Sequence, residues 1–342
     1  MDVSKKHLAA AAAENIISAE QAEALYQYLS EQAKDTPRFN FTHVLYYFGG
    51  LIAIGAMSIF MTLGWEAFGG GGILVICCIY AALGLKLSSV FAAKQLNIPA
   101  GICATFVVCL TPLAVYGLQV YLGLWPDNSV YQDYHRYIQW HWLYMELATL
   151  AVGAVIAWKY KYPFLFMPIA ATLWYMSMDI SAMLSGGDYS WELRKLVSLY
   201  SGLLMIGLAF WVDIRTRKQA DYAFWIYLFG VLAFWGSLSS MHSNSELSKF
   251  FYLCINLSMI GIGVLLVRRI FVVCGALGAC SYLGYLAFSV FKDSWLFPVV
   301  LSAIGLAIVY LGVLWQKHEQ AITQKTRAIL PTALRELLEA KA

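Results

Sequence analysis

A chain of 342 residues with 61% hydrophobic and 13% charged side chains carries about half the charge of an ordinary soluble domain. That balance excludes a soluble globular fold, and a formal net charge of +3 gives no argument for a nucleic-acid partner. Apolar stretches recur from Thr42 onward, each near the roughly 20 residues needed to cross a bilayer. The fold class expected is all-α, a polytopic membrane protein.

Residues 1–41 come before the first apolar stretch and read as a cytoplasmic helical hairpin. After Lys5 and Lys6 the chain has no apolar core long enough for a signal peptide. A helix through Leu8 to Ala13 is expected, with a break near Asn15. A second helix then starts at Ser18-Ala19-Glu20-Gln21. Serine at the cap and glutamine three residues on can each satisfy one exposed backbone donor. Ala22, Leu25, Tyr26 and Leu29 follow at helical spacing and form an apolar stripe.

Ten spans are expected in residues 42–315: Thr42–Gly64, Ile73–Ala93, Ile98–Leu122, Trp140–Trp158, Pro163–Leu184, Leu196–Val212, Tyr222–Ser240, Phe250–Val267, Phe271–Phe291 and Trp295–Trp315. Lys86 falls inside the second, near the end where its long stem can carry the ammonium to the interface. Many of the 12 Trp, 22 Tyr and 19 Phe fall at span ends, as an interfacial belt requires. With the N-terminus inside, every inner loop carries Lys or Arg, among them Lys94, Lys159, Lys161, Arg215, Arg217, Lys218, Arg268 and Arg269. The outer side holds only Arg136, Arg194, Lys195, Lys249 and Lys292, so the positive-inside rule places both termini in the cytoplasm. Residues 316–342 form a cytoplasmic amphipathic tail in which Pro331 starts a helix with Leu334, Leu337 and Leu338 on one face.

The phrase NIISAEQAEALYQYL, a linker, and then HVLYYFGGLIAIGAMSIFMTLGWEAFG with Trp65-Glu66 at the end of the first span resemble a known pattern. Over roughly the first 90 residues the chain is similar to a bacterial predicted membrane protein family, domain of unknown function 2157. The resemblance implies a multi-span protein of the bacterial inner membrane. It brings no reaction and no catalytic residues.

Soluble nucleotide and metalloprotease chemistry are not in prospect: there is no GxxxxGK[ST] loop, HExxH helix, CxxC pair or GxSxG elbow. The run Gly69–Gly72 reads as a flexible turn in the first outer loop. The seven cysteines all lie in apolar runs and behave as small apolar residues. No cofactor is called for, and no enzyme activity is expected because no nucleophile–base arrangement can be named.

The residues that stand out are ionisable groups within spans. Asp179 lies five residues before the end of the fifth span and Glu146 six residues into the fourth. At 1.5 Å per residue both sit roughly 7–9 Å below the outer boundary, on adjacent helices. Thr172, Met176, Asp179 and Met183 share one face of the fifth span, and Glu146, Thr149 and Gly153 share one face of the fourth. Carboxyls on polar faces of membrane helices point to a cation or proton site. A competing reading takes His135, His141, Met176, Met183, Met241 and His242 as soft ligands for copper. A third leaves the acids as packing residues bonded to their neighbours. Asp213 is expected to pair with the adjacent Arg215, and Pro112 and Pro168 to kink the third and fifth spans. Asp127, Asp133, His135 and Arg136 sit in an outer loop that reads as solvated.

The function expected is therefore transport of a small solute or cation, with Asp179, Glu146, Met176, Thr172 and Thr149 as the intramembrane site. The alternative is a membrane scaffold or sensory subunit that meets a protein partner through residues 1–41. The lipid bilayer is a partner in either case; nucleic acid is not.

Overall fold

A computed structural model of the protein describes residues 5–14, 16–32, 41–125, 140–184, 191–216, 221–241, 245–291 and parts of 295–310. The described residues are helical and contain no strand. Eleven α-helices follow in order: α1 (Lys5–Ala13), α2 (Ala19–Gln32), α3 (Phe41–Ala93), α4 (Asn97–Cys109), α5 (Thr111–Tyr121), α6 (Trp140–Tyr160), α7 (Phe166–Leu184), α8 (Trp191–Arg215), α9 (Phe224–Ser240), α10 (Glu246–Leu265) and α11 (Arg269–Tyr285).

The hairpin α1–α2 forms as its capping sequence requires. Ser18 N–H donates to Gln21 Oε1 at 3.0 Å, and Gln21 N–H donates to Ser18 Oγ at 3.1 Å. α1 packs on α2, burying Leu8 and Ala22. Leu25, part of the expected apolar stripe, is exposed. A single partner helix covers only part of an apolar face about 100° wide.

Seven helical stretches among the described residues are long and apolar enough to cross a membrane: Phe68–Ala93, Asn97–Tyr121, Trp142–Tyr160, Pro163–Ser181, Trp191–Arg215, Glu246–Leu265 and Arg269–Val290. Val44–Ala56 and Phe224–Ser240 are apolar but shorter. The tenth expected span falls partly on helical residues between 296 and 310, and the tail 316–342 lies outside the described residues.

Three expected breaks have different outcomes, each for a local reason. The glycine run turns the chain at one residue: Gly69, at φ 59° and ψ 174°, is the kink at which two helices meet, and Gly70 to Gly72 are already helical. One residue at positive φ redirects the chain, and glycine takes that conformation without a Cβ clash. Pro112 divides the third span into α4 and α5, since proline has no N–H to continue the ladder. Pro168, by contrast, does not kink α7. It is the third residue of that helix, after a 3₁₀ turn at Pro163–Leu165, where a missing donor costs least.

α8 and α9 form the tightest described helix pair. A Cβ on Gly202 would lie 2.5 Å from the backbone nitrogen of Phe234 and 2.8 Å from the Gly230 carbonyl. Small residues at such crossings let backbones meet, and van der Waals contact then holds helices that lipid does not drive together. α7 and α11 pack against the same α9, enclosing Met205, Ala209, Ile226, Tyr227, Val231, Met259, Phe271 and Cys274 in one core.

Three connections share one construction. Gln95 (φ 60°), Lys161 (φ 53°) and Val267 (φ 55°) end their helices in the left-handed region. A single residue, Leu96, Tyr162 or Arg268, then leads into the next helical turn. Leu96 N–H bonds Phe91 O and Arg268 N–H bonds Gly263 O, both at 2.9 Å, the six-to-one bond of a Schellman cap. For a non-glycine residue that backbone costs on the order of 1–2 kcal/mol, and the β-branched Val267 bears it at an exposed site.

Gly202→Ala forces α8 from α9 and lowers the thermal midpoint of the purified protein, at a cost of about 1–3 kcal/mol. Gly207→Ala, on the same helix with nothing within 4 Å of its added Cβ, leaves the midpoint equal or higher.

Candidate functional site

Packing brings α6 and α7 together at Gly153, where an added Cβ would meet Ile169 Cγ1 at 2.8 Å and Val108 Cγ1 at 3.4 Å. The two helices are antiparallel across the 3₁₀ turn. Seven residues from that crossing, about 10 Å along each axis, Glu146 on α6 stands opposite the Met176–Asp179 turn of α7. The crossing therefore sets the register that pairs the acids.

Glu146 is 4% exposed and Asp179 7% exposed. The Glu146 carboxyl lies against that of Asp179, within side-chain hydrogen-bonding range. Neither Glu146 oxygen has a hydrogen-bond donor among the described residues. Two ionised carboxylates in contact at a buried site repel without water to screen them. A proton shared between them, or a cation beside them, removes the repulsion.

The hydroxyls nearby are committed elsewhere. Thr149, buried one turn from Glu146, donates to Met145 O at 2.6 Å. Ser177 and Ser181 donate to Trp174 O and Met178 O, both at 2.6 Å. Thr149 thus shares the face expected of it but spends its proton on its own helix, and so is not a donor to the acids. Thr172 and Met176 are half-buried on the face of α7 that carries Asp179. On the other side of Glu146, Trp142 and Met145 belong to an apolar core with Ile73, Cys77, Leu113 and Tyr116.

Among the described residues no group of three His, Cys, Asp or Glu could hold a metal ion. His135, His242 and the side chains of His141 and Met183 lie outside the described residues, as do Asp127, Asp133 and Arg136. All seven cysteines are free thiols.

A second charged cluster lies at the opposite ends of the helices, and here the expected pairing is corrected. Asp213 does not pair with Arg215, whose guanidinium stacks 4.3 Å from the centre of the Trp211 ring. Asp213 instead accepts a bond from Arg268 Nη2 at 2.8 Å, and both groups are buried. Consecutive residues on a helix point about 100° apart, so a neighbour two positions along is poorly placed to reach back. Arg268 also makes a two-pronged contact with Asp221, through Nη2 at 2.9 Å and through Nη1. Its guanidinium lies 5.0 Å from the centre of the Tyr227 ring. Burial works against its charge, but the bonds to Asp221 and Asp213 outweigh that and hold its pKa above the ordinary arginine value. The only sequence sign of this role was the doubled Arg268-Arg269, which reads as topology.

Lys195, expected in an outer loop, is a buried residue of α8. It bonds Glu192 Oε1 at 2.6 Å and the Ser240 carbonyl at the end of α9 at 3.4 Å. Buried Asn256 joins α9 to α10. Its Oδ1 accepts from Trp235 Nε1 at 3.1 Å and its amide donates to Tyr252 O at 2.8 Å. Compared with family models, curated proteins and solved structures, the chain matches none.

Glu146→Gln sets an amide donor against Asp179 and removes one of two facing acids, so the thermal midpoint rises, by roughly 1–2 kcal/mol of stability. Glu146→Leu leaves Asp179 beside hydrocarbon and lowers it by a similar amount. Melts followed by tryptophan fluorescence in detergent measure both.

Proposed function

We propose that this is a transporter or permease that moves a small solute or ion, with Glu146 and Asp179 taking up and releasing a proton or cation during the cycle. The observation that carries the reading is two buried carboxyls in contact within the membrane domain, with no basic group bonded to Glu146 among the described residues. Buried ionisable groups in membrane helices are costly and mark ion pathways and proton relays. Thr172 and Met176, half-buried on the same face of α7, complete the proposed site.

The wider setting we propose is ten spans in the bacterial inner membrane with both termini cytoplasmic. It is supported by the Lys and Arg bias of the loops and by the resemblance of the first 90 residues to a bacterial membrane protein family. In that orientation the carboxyl pair lies nearer the outer face and the Arg268 cluster nearer the inner one.

A second reading, a scaffold or sensory subunit without transport, has one observation in its favour. Helix α1 packs on α2, and Leu25 and Tyr28 stay exposed, at 41% and 59%, on a polar helix. Such a face suits a protein partner.

Purified protein in liposomes loaded with a pH-sensitive dye distinguishes the two. Under an imposed pH gradient the transporter dissipates it, and Glu146→Gln and Asp179→Asn each slow dissipation roughly tenfold or more, since each removes a titrating group. Rates equal to those of empty liposomes favour the scaffold. In that case deletion of residues 1–38 abolishes co-purification with envelope proteins and leaves the membrane domain folded.

A further inference from the structure

We propose that Arg268 is the catch of a conformational latch that holds three helix–helix turns closed at one end of the bundle, with Val267 loaded to release it in one step. The inference goes beyond the carboxyl pair and stands on different residues.

The three turns are joined in series. Tyr222, ahead of α9, donates its hydroxyl to the Lys161 carbonyl in the α6–α7 turn at 2.8 Å. Asp221, its neighbour, takes the fork of Arg268 from the α10–α11 turn, and Asp213 at the end of α8 takes the remaining bond. Aromatic rings fill the same end: Phe166 with Tyr222 at 5.7 Å, Phe164 with Trp225 at 5.3 Å, and Tyr227 with Phe271 at 5.6 Å. One hydroxyl–carbonyl bond, two carboxylate partners of Arg268 and three ring contacts therefore converge on one end of the bundle. Phe166 lies thirteen residues from Asp179 along α7, so the latch is about 20 Å from the carboxyl pair.

The catch is built to be all-or-none. Arg268 is 7% exposed, while Asp221 is 49% exposed, so the carboxylate that carries the fork can exchange its partner for water. Once Asp221 leaves, the guanidinium is left buried with a single carboxylate, which is a poor substitute for its full set of bonds. The backbone adds a second push. Val267 is β-branched, exposed and held at φ 55°, with Arg268 N–H tied to Gly263 O. Val267 regains ordinary backbone geometry only if that turn opens, so the strain of the closed turn is discharged in the same step that frees Arg268. Closed and open arrangements with little between them are what a switching element requires.

Hydrogen–deuterium exchange of the full-length protein in lipid nanodiscs, read by mass spectrometry, tests this without reference to transport. The reporters are the amides of Arg268 and Lys161, which bond Gly263 O and Ala157 O. Arg268→Lys keeps the charge and loses the fork, and Asp221→Asn removes the exposed carboxylate. Each speeds exchange at both turns together, on the order of a hundredfold for a broken buried pair. Val267→Gly, with no strain to discharge, slows exchange at both turns by roughly tenfold. Acceleration confined to residues 263–270 in Arg268→Lys would show an ordinary local ion pair and overturn the latch. Exchange in Val267→Gly that is unchanged or faster would overturn the loading. Because Val267→Gly is expected to stabilise the fold, that arm holds even where the charge variants fail to assemble.

Discussion

Inside a bilayer a polar group has no water to turn to, and every feature of this protein follows from how that constraint is met. Helices satisfy their backbones internally, which is why the membrane domain is helical wherever it is described. Side-chain hydroxyls follow the same rule. Ser88 reaches across to Ala100 O at 2.9 Å, and Thr105, Thr149, Ser177 and Ser181 return their protons to their own helices. Asn256 and Trp235 satisfy each other between helices. Against that background Glu146 is conspicuous, because among the described residues neither of its oxygens has a hydrogen-bond donor and the carboxyl beside it is another acid.

The two charged centres show opposite answers to the same cost. Arg268 is matched by two carboxylates and a ring face, so its charge is balanced wherever that end of the bundle is closed. Glu146 has no such match among the described residues, and the carboxyl nearest it is another acid. A protein that needed only rigidity would gain by replacing the pair with apolar residues of similar volume. Retaining it fits a group that must gain and lose charge.

What the sequence made legible was set by distance along the chain. The Ser18–Gln21 cap was readable because its partners are three residues apart and the motif is nearly geometry itself. The depth match of Glu146 and Asp179 was readable because helical rise is constant, so position in a span gives height in the membrane. The Asp213–Arg268 pair was not readable, since 55 residues separate its members and nothing local marks the arginine as buried. Lys195 escaped for a related reason: α8 begins before its apolar run does, and hydropathy sees only the run. The glycine run was half legible: Gly69 does turn the chain, but Gly70 to Gly72 are helical where four consecutive glycines signal a loop in water. Between apolar helices, backbone bonds made within the helix are the cheaper choice, and one residue sufficed for the bend.

The length of α9 has a consequence of its own. At 17 residues it spans about 26 Å, short of the roughly 30 Å hydrocarbon layer, while the 25-residue α8 beside it exceeds that layer. α9 packs on α7, α8 and α11, which take the place of lipid along part of its surface, while Phe224 and Leu232 stay exposed. A change in bilayer thickness therefore acts unequally on α8 and α9. The mismatch is resolved as sliding between them, and the place where α8 and α9 touch backbone to backbone, at Gly202 and Gly230, is where that shear is felt. The lipid composition of the host membrane is thereby a mechanical input to the bundle.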